Sequence, residues 1–273
     1  MNNSMRLFGK VVWAETCKQH RNYFNNRAIY ISLFVWPVFS FLSAYYSYSA
    51  FDISGTFISY LSDDNILLFL LIGYMAMSFF RSVVQSAWRF SMERQAGTLE
   101  YIYLSPANRM AVLLGNALSS VFESSVVMLI FGIMIMYYQR NALNINVLGL
   151  ISVMIIFVVM ALLWGVFLNA CFLYSRDTDF LFTVLEEPME IFAGVKIPVV
   201  IFPNWARVIS LIFPLTYILE ALREVCLNHA DIASVRIILI ISIAIIIVLL
   251  TVTLVTIRVV EKHMRKSGNV ILF

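Results

Sequence analysis

Six apolar runs, each bounded by charged or turn-forming residues, divide the chain: 28–50, 66–87, 112–137, 147–174, 180–201 and 235–257. Each reaches the ~20 residues that a helix needs to cross a bilayer core of about 30 Å. A helix satisfies its own backbone groups, which lipid cannot do, so the runs predict six membrane-spanning helices. Residues 203–227 are also apolar, but Pro203, Pro214 and several charges interrupt them. That stretch predicts a re-entrant or interfacial helical hairpin before the last span. Ahead of the first run, Met5, Phe8 and Val12 fall on one side of a helix and Arg6, Lys10 and Arg21 on the other, while Leu7, Val11 and Glu15 blur the pattern. A helix of this kind lies in the membrane interface with its cations near anionic headgroups. The fold class expected is therefore all-α integral membrane, one domain over 1–273. It divides into an interface helix (1–27), spans one to five (28–202), the hairpin (203–230), and span six with a cytoplasmic tail (231–273).

Composition agrees with lipid as the main solvent. The chain is 61% hydrophobic and 13% charged, with a mean hydropathy of +0.86, whereas soluble domains carry about a quarter charged residues. A cleavable leader is not expected, because a long charged stretch precedes the first apolar run.

Charge placement sets the orientation, since short cytoplasmic loops hold the excess Lys and Arg. With the amino terminus inside, the inner segments hold Arg6, Lys10, Lys18, Arg21, Arg27, Arg81, Arg89, Arg94, Arg109, Arg176, Arg258, Lys262, Arg265 and Lys266, and the outer ones only Arg140, Lys196, Arg207, Arg223 and Arg236. The first outer loop holds Asp52, Asp63 and Asp64 and no cation. Both termini are thus expected on the cytoplasmic side of the inner membrane. Arg81, in the second run, is expected to snorkel to the inner boundary without a special role.

Cys17, Cys171 and Cys226 are scattered, as are His20, His229 and His263, so no disulfide framework and no metal site is expected. The basic tail near Arg258 to Lys266 suits membrane lipids rather than nucleic acid.

The loop 89–109, RFSMERQAGTLEYIYLSPANR, is the most informative soluble segment. Its charged Glu93, Arg94 and Glu100 alternate with apolar Met92, Leu99, Tyr101 and Leu104, as a short helix facing both membrane and partner would require. Gly97 allows a break, and Pro106 stops the helix before Arg109.

Glu123 falls near the middle of the third span, where an ionised carboxylate needs a partner or water. Asn116, Ser119, Ser120, Ser124 and Ser125 are its expected partners; the alternative is a place in a transport path. Glu186, Glu187 and Glu190 cluster around Pro188 in the fifth span. Either they line a water-filled substrate route suited to a cationic or hydrogen-bonding cargo, or cations pair with them, or the span is displaced toward the outer surface. Aromatic residues at span ends, such as Trp13, Tyr30, Trp36, Tyr45 and Trp205, read as interfacial anchors.

The chain has no G-x-x-x-x-G-K-[ST] phosphate loop, no H-E-x-x-H helix and no G-x-S-x-G elbow. ATP hydrolysis by a phosphate loop, zinc-helix proteolysis and elbow-type hydrolysis are excluded on this chain. A proton-driven secondary transporter working through the intramembrane glutamates is the rival class, although the internal repeats common in that class are not found.

Two segments together resemble the type-2 ABC transporter permeases, membrane subunits of exporters of drugs, antibiotics, lipids and polysaccharides. The first is Glu93-Arg94-Gln95-Ala96-Gly97-Thr98-Leu99-Glu100 followed by Leu104-Ser105-Pro106, similar to the family's E-x-x-x-G-T-L-E stretch and the proline after it. The second is Gly194 with Pro198, then Pro203-Asn204-Trp205, and Pro214-Leu215-Thr216-Tyr217 leading to Glu220-Ala221-Leu222-Arg223, which resembles the family's outer re-entrant hairpin.

The resemblance implies a coupling helix near 92–105 that docks on a separate ABC ATPase subunit. Glu93, Arg94, Gly97, Thr98, Leu99, Glu100 and Pro106 would be its coupling residues, and Pro203, Trp205, Pro214, Tyr217, Glu220 and Arg223 would shape the hairpin. It also implies a second permease chain, identical or different, with the cargo route between the two. No catalytic residue and no cofactor is expected on this chain, ATP and magnesium being held by the partner. Glu123, Glu186, Glu187 and Glu190 are the candidate substrate-path residues. The glutamate group departs from the mostly apolar residues expected there. The expected cargo is a drug, antibiotic or peptide-like amphipathic compound, with a polysaccharide or lipid as the alternative.

Overall fold

A computed structural model describes residues 2–24, 27–49, 65–138, 147–174, 183–228 and 230–267. Asp52, Asp63, Asp64, Arg140, Arg176, Phe180 and His229 lie outside the described residues, as do the side chains of Arg94, Leu99, Glu100 and His263. The described residues are helical, with no strand among them.

The helices are α1 (Asn2–Gln19), α2 (Arg27–Ser49), α3 (Ile66–Gln95), α4 (Leu99–Leu104), α5 (Arg109–Tyr138), α6 (Val147–Tyr174), α7 (Glu187–Phe192), α8 (Asn204–Ser210), α9 (Pro214–Leu227) and α10 (Ile232–Ser267). A π-helical turn, His20–Phe24, ends α1, and one 3-10 turn, Val199–Ile201, precedes α8.

Four of the described helices are long and apolar enough to cross a membrane: α3, α5, α6 and α10. The α8–α9 pair, bent by 95°, adds a fifth if it counts as one span. α2 forms where the first run predicts it but is not among the four. Its 23 residues run on through Pro37, which lies inside the helix.

The straight fifth span expected over 180–201 is broken. Residues 183–185 are helical, Glu186 is a turn, and α7 ends at Phe192. Gly194 then takes φ +85, a left-handed conformation that glycine adopts at no steric cost. Pro198 follows with an extended backbone. Apolar composition is blind to such a turn.

α3 is the central element and packs on α2, α5, α6 and α9. Phe69, Phe79, Phe80 and Phe157 are fully buried around it, with the Phe79 and Phe157 rings 4.8 Å apart. Without a hydrophobic drive between spans, close approach at small residues and interhelical hydrogen bonds hold the bundle. Both are present. A Cβ on Gly165 of α6 would lie 2.2 Å from Val83 of α3. Asn116 of α5 donates to Asn169 of α6 (2.8 Å) and to the Ser86 carbonyl of α3 (2.7 Å), while Asn169 donates to the Ser86 hydroxyl (2.9 Å). α10 packs on α6 and α9 along one side and exposes most of its surface, as a lipid-facing helix does.

α1 packs against the bundle. It packs along α5, where Gly115 lets it approach: a Cβ there would lie 2.6 Å from the Glu15 Cβ and 2.7 Å from the Val12 carbonyl oxygen. The Thr16 hydroxyl donates to the Gly115 carbonyl (3.1 Å). Glu15, which blurred the amphipathic pattern, is the residue that turns inward, whereas Met5, Leu7 and Trp13 are exposed.

Candidate functional site: a coupling loop, two buried carboxylate centres and a hairpin

The loop 92–109 begins as a helix C-cap. Gly97 takes φ +70, and the Thr98 amide donates to the Glu93 carbonyl (3.0 Å), which also accepts the Thr98 hydroxyl (3.1 Å). This closes α3 in the manner of a Schellman motif, satisfying carbonyls that the helix end would leave bare. The Gly-Thr pair read from sequence is thus a device for stopping α3 and turning the chain.

α4 follows for six residues and ends at Ser105, whose extended backbone suits the residue before Pro106. Arg109 folds back to donate to the Ile102 carbonyl (2.6 Å), fixing α4 against the start of α5. Tyr101 and Leu104 are left 75% and 82% exposed, an apolar pair pointing out of a rigidly capped turn.

Glu93 is not on that outer surface. It is buried, accepts a hydrogen bond from Gln19 (2.7 Å) and pairs with Lys18 (2.8 Å). Lys18 and Gln19 also reach Glu15, each at 2.7 Å. Burial alone would lower the Lys18 pKa, but Glu15 and Glu93 more than offset it, so the ammonium titrates above its ordinary value. Glu93 therefore joins the loop to α1. Lys18 and Gln19 of α1 compensate its charge in that buried position.

Glu123, 2% exposed, pairs with His20 from the π-helical turn and accepts a hydrogen bond from Tyr30 of α2. The neighbours expected to satisfy it do other work. Ser119 and Ser120 accept from Arg89, a buried guanidinium over the Tyr23 ring. Ser124 and Ser125 donate to backbone carbonyls of their own helix, and Asn116 is committed to Asn169. These neighbours are taken up by other elements or by carbonyls of their own helix, which spacing does not reveal. The sites around Glu93 and Glu123 are both held by the end of α1.

The second carboxylate centre lies between α3 and α7. Arg81 pairs with Glu186 (2.7 Å) and donates to Glu190 (2.9 Å), and Lys196 pairs with Glu190 (2.8 Å). Of the three readings of this cluster, pairing with cations holds for Glu186 and Glu190, and Glu187 lines a cavity beside them. Arg81, expected to have no special role, is held by two carboxylates, 15 residues into α3 and about 22 Å from that helix's start at 1.5 Å per residue. It stays there because two carboxylates compensate its charge.

Of the hairpin residues, Arg223 sits where α9 docks on α3. Pro203 caps α8 and Pro214 opens α9, both positions where a missing amide costs nothing. Tyr217 donates to the Leu211 carbonyl (3.1 Å), closing the bend. Trp205 is exposed, with its ring edge toward Phe192 at 6.1 Å, and Glu220 faces outward. Arg223 is buried. It donates to the carbonyls of Gly194 (2.7 Å), Val195 (2.9 Å) and Phe69 (3.3 Å), and stacks 3.5 Å from the Phe69 ring centroid. A Cβ on Gly73 would lie 2.5 Å from the Val195 carbonyl oxygen and 3.0 Å from the Arg223 Nη2, so glycine is needed for this docking. One guanidinium thus ties the turn after α7, α9 and α3 together.

A helical bundle with several membrane-length helices and buried, paired carboxylates between them is the architecture of a multi-pass membrane protein. Residues 10–227 match the family described as ABC-2 type transporter, and the chain belongs to it. It is accordingly an ABC transporter permease, a transport membrane subunit. No curated protein matches the chain closely enough to count as a relative.

Sequence reasoning singled out Glu93, Gly97, Glu123 and Arg223 but missed Glu15, Lys18, Gln19, His20, Arg89 and Gly115. The 3–4 residue spacing of Glu15, Lys18 and Gln19 was the available signal, since it places all three on one helical face.

Proposed function

We propose that the chain forms the translocation path of an ATP-driven exporter whose ATP is hydrolysed on a separate ABC ATPase subunit, which docks on α4. The observation that carries this is the exposed Tyr101–Leu104 pair on a turn held by the Gly97 cap, Arg109 and Pro106. An apolar patch on a rigid turn is the geometry that a partner groove reads. Movement of α4 passes to α1 through Glu93, and from α1 to α5 and α2 through His20, Glu123 and Tyr30.

In this reading α2, the fifth run and the four long helices make six spans, with the 95° pair as a re-entrant hairpin at the outer face. Both termini lie in the cytoplasm, the host membrane is the inner membrane, and a second permease chain completes the path. The cargo is a drug-, antibiotic- or peptide-like amphipathic compound. The proton-driven alternative is disfavoured because Glu186 and Glu190 are engaged in ion pairs and Glu123 is hydrogen-bonded to His20.

The test is photo-crosslinking in native membranes. Benzoylphenylalanine at position 101 or 104 should capture one ATP-binding polypeptide, and the same probe at exposed Val208 should not. Equal capture at all three positions, or none at 101 and 104, refutes the docking site.

A further inference from the structure

We infer that the cavity between α2, α3 and the start of α7 is a binding site for an organic cation with an apolar body. This rests on the chain being an exporter permease and adds the chemical class of its cargo. The cavity measures about 460 Å³, within the ~300–1,000 Å³ of sites that enclose small molecules. Its walls differ in character. α2 contributes Leu33 and the exposed indole of Trp36, α3 contributes Ser78, Ser82, Gln85 and Arg81, and the segment at α7 contributes Glu186 and Glu187.

Among the described residues the charges facing this space are Arg81, Glu186 and Glu187. Arg81 is spent on Glu186 and Glu190, and Glu190 is shared with Lys196. Glu187 forms no ion pair among the described residues, which leaves its carboxylate to face an incoming cation or donor.

A second observation points the same way. Glu186 is 2% exposed, and only its Oε1 meets Arg81; its Oε2 is buried without a hydrogen-bond partner. A buried carboxylate oxygen left unsatisfied costs free energy that a donor entering the cavity would recover. A cation or N–H donor satisfies it, and an anion does not. Trp36 offers an aromatic face for the same charge, and Leu33 takes an apolar substituent. The hydroxyls and amide of α3 accept or donate to whatever polar groups remain.

The probe is radiolabelled tetraphenylphosphonium, with tetraphenylborate as the anion of the same shape. Both are titrated against the full-length permease in lipid nanodiscs without ATPase, and empty nanodiscs correct for partition into lipid. Saturable binding of the phosphonium, weak binding of the borate, and a loss of about tenfold in phosphonium affinity in Glu187→Gln are expected. Glu187 is exposed and forms no ion pair among the described residues, so this variant folds whether or not Glu186→Gln does; where Glu186→Gln folds, its loss should match or exceed that of Glu187→Gln. Equal binding of the two probes, or wild-type affinity in Glu187→Gln, overturns the inference. Because no ATPase is present, this outcome is independent of whether α4 docks one.

Discussion

Replacing Gly115 by alanine tests whether α1 is held against the bundle rather than lying free in the interface. The new Cβ would stand 2.6 Å from the Glu15 Cβ and 2.7 Å from the Val12 carbonyl oxygen. Carbon atoms rest at about 3.5–4.0 Å, so α1 must withdraw by about 0.9 Å. The Thr16 bond to the Gly115 carbonyl, 3.1 Å long, would stretch to about 4 Å and be lost, at about 1 kcal/mol. Overpacking adds about 1–3 kcal/mol, and the gain of alanine over glycine within a helix returns about 1 kcal/mol. The net expectation is a destabilisation of about 1–3 kcal/mol, or a Tm lower by several degrees at about 2–4 °C per kcal/mol. Gly132 supplies the control on the same helix, because a Cβ there meets nothing within 4 Å. Gly132→Ala should therefore keep or raise Tm. The assay is thermal unfolding of both variants in nanodiscs, and equal Tm values would refute the packing of α1 on α5.

Three further outcomes follow from the same geometry. In Gly97→Ala the Cβ meets nothing, so the cost is the left-handed backbone alone, about 1–2 kcal/mol; ATPase co-elution should fall, and Gly97→Asn, which tolerates that conformation, should restore it. Arg223→Lys keeps the charge but cannot span the carbonyls of Gly194, Val195 and Phe69, so detergent-induced unfolding should set in earlier, and an unchanged profile would remove Arg223 as the tie. Arg81→Met leaves Glu186 buried without its counter-charge, a loss of about 3–5 kcal/mol; adding Glu186→Met should recover most of it, and a double-mutant cycle showing simple additivity would contradict the ion pair.

The long spans were legible because apolar length is a local property: α3, α5, α6 and α10 each fall on an expected run. The broken fifth run was less so, since Gly194 and Pro198 are visible as residues but the turn they make depends on Arg223 capturing the carbonyls of Gly194 and Val195. At the site, chemistry was readable and pairing was not. Glu186 and Glu190 stood out as buried charges, yet their partner Arg81 lies more than a hundred residues away and no spacing rule connects them. Glu93 was picked out by the motif around Gly97, but its orientation follows from Lys18 and Gln19 on a helix that packs against α5. His20 carried no pattern of its own; only the π-helical turn at the end of α1 brings it to Glu123.

The account depends most on energy arriving from a second polypeptide through α4. The direct measurement is ATP hydrolysis in the eluate when the tagged permease is purified from native membranes. Hydrolysis should accompany the wild-type chain and be lost when Tyr101 and Leu104 are both replaced by aspartate, with the permease itself still folded and in the membrane. A stable wild-type permease that elutes with no ATPase, or a double variant that retains full hydrolysis, would contradict it.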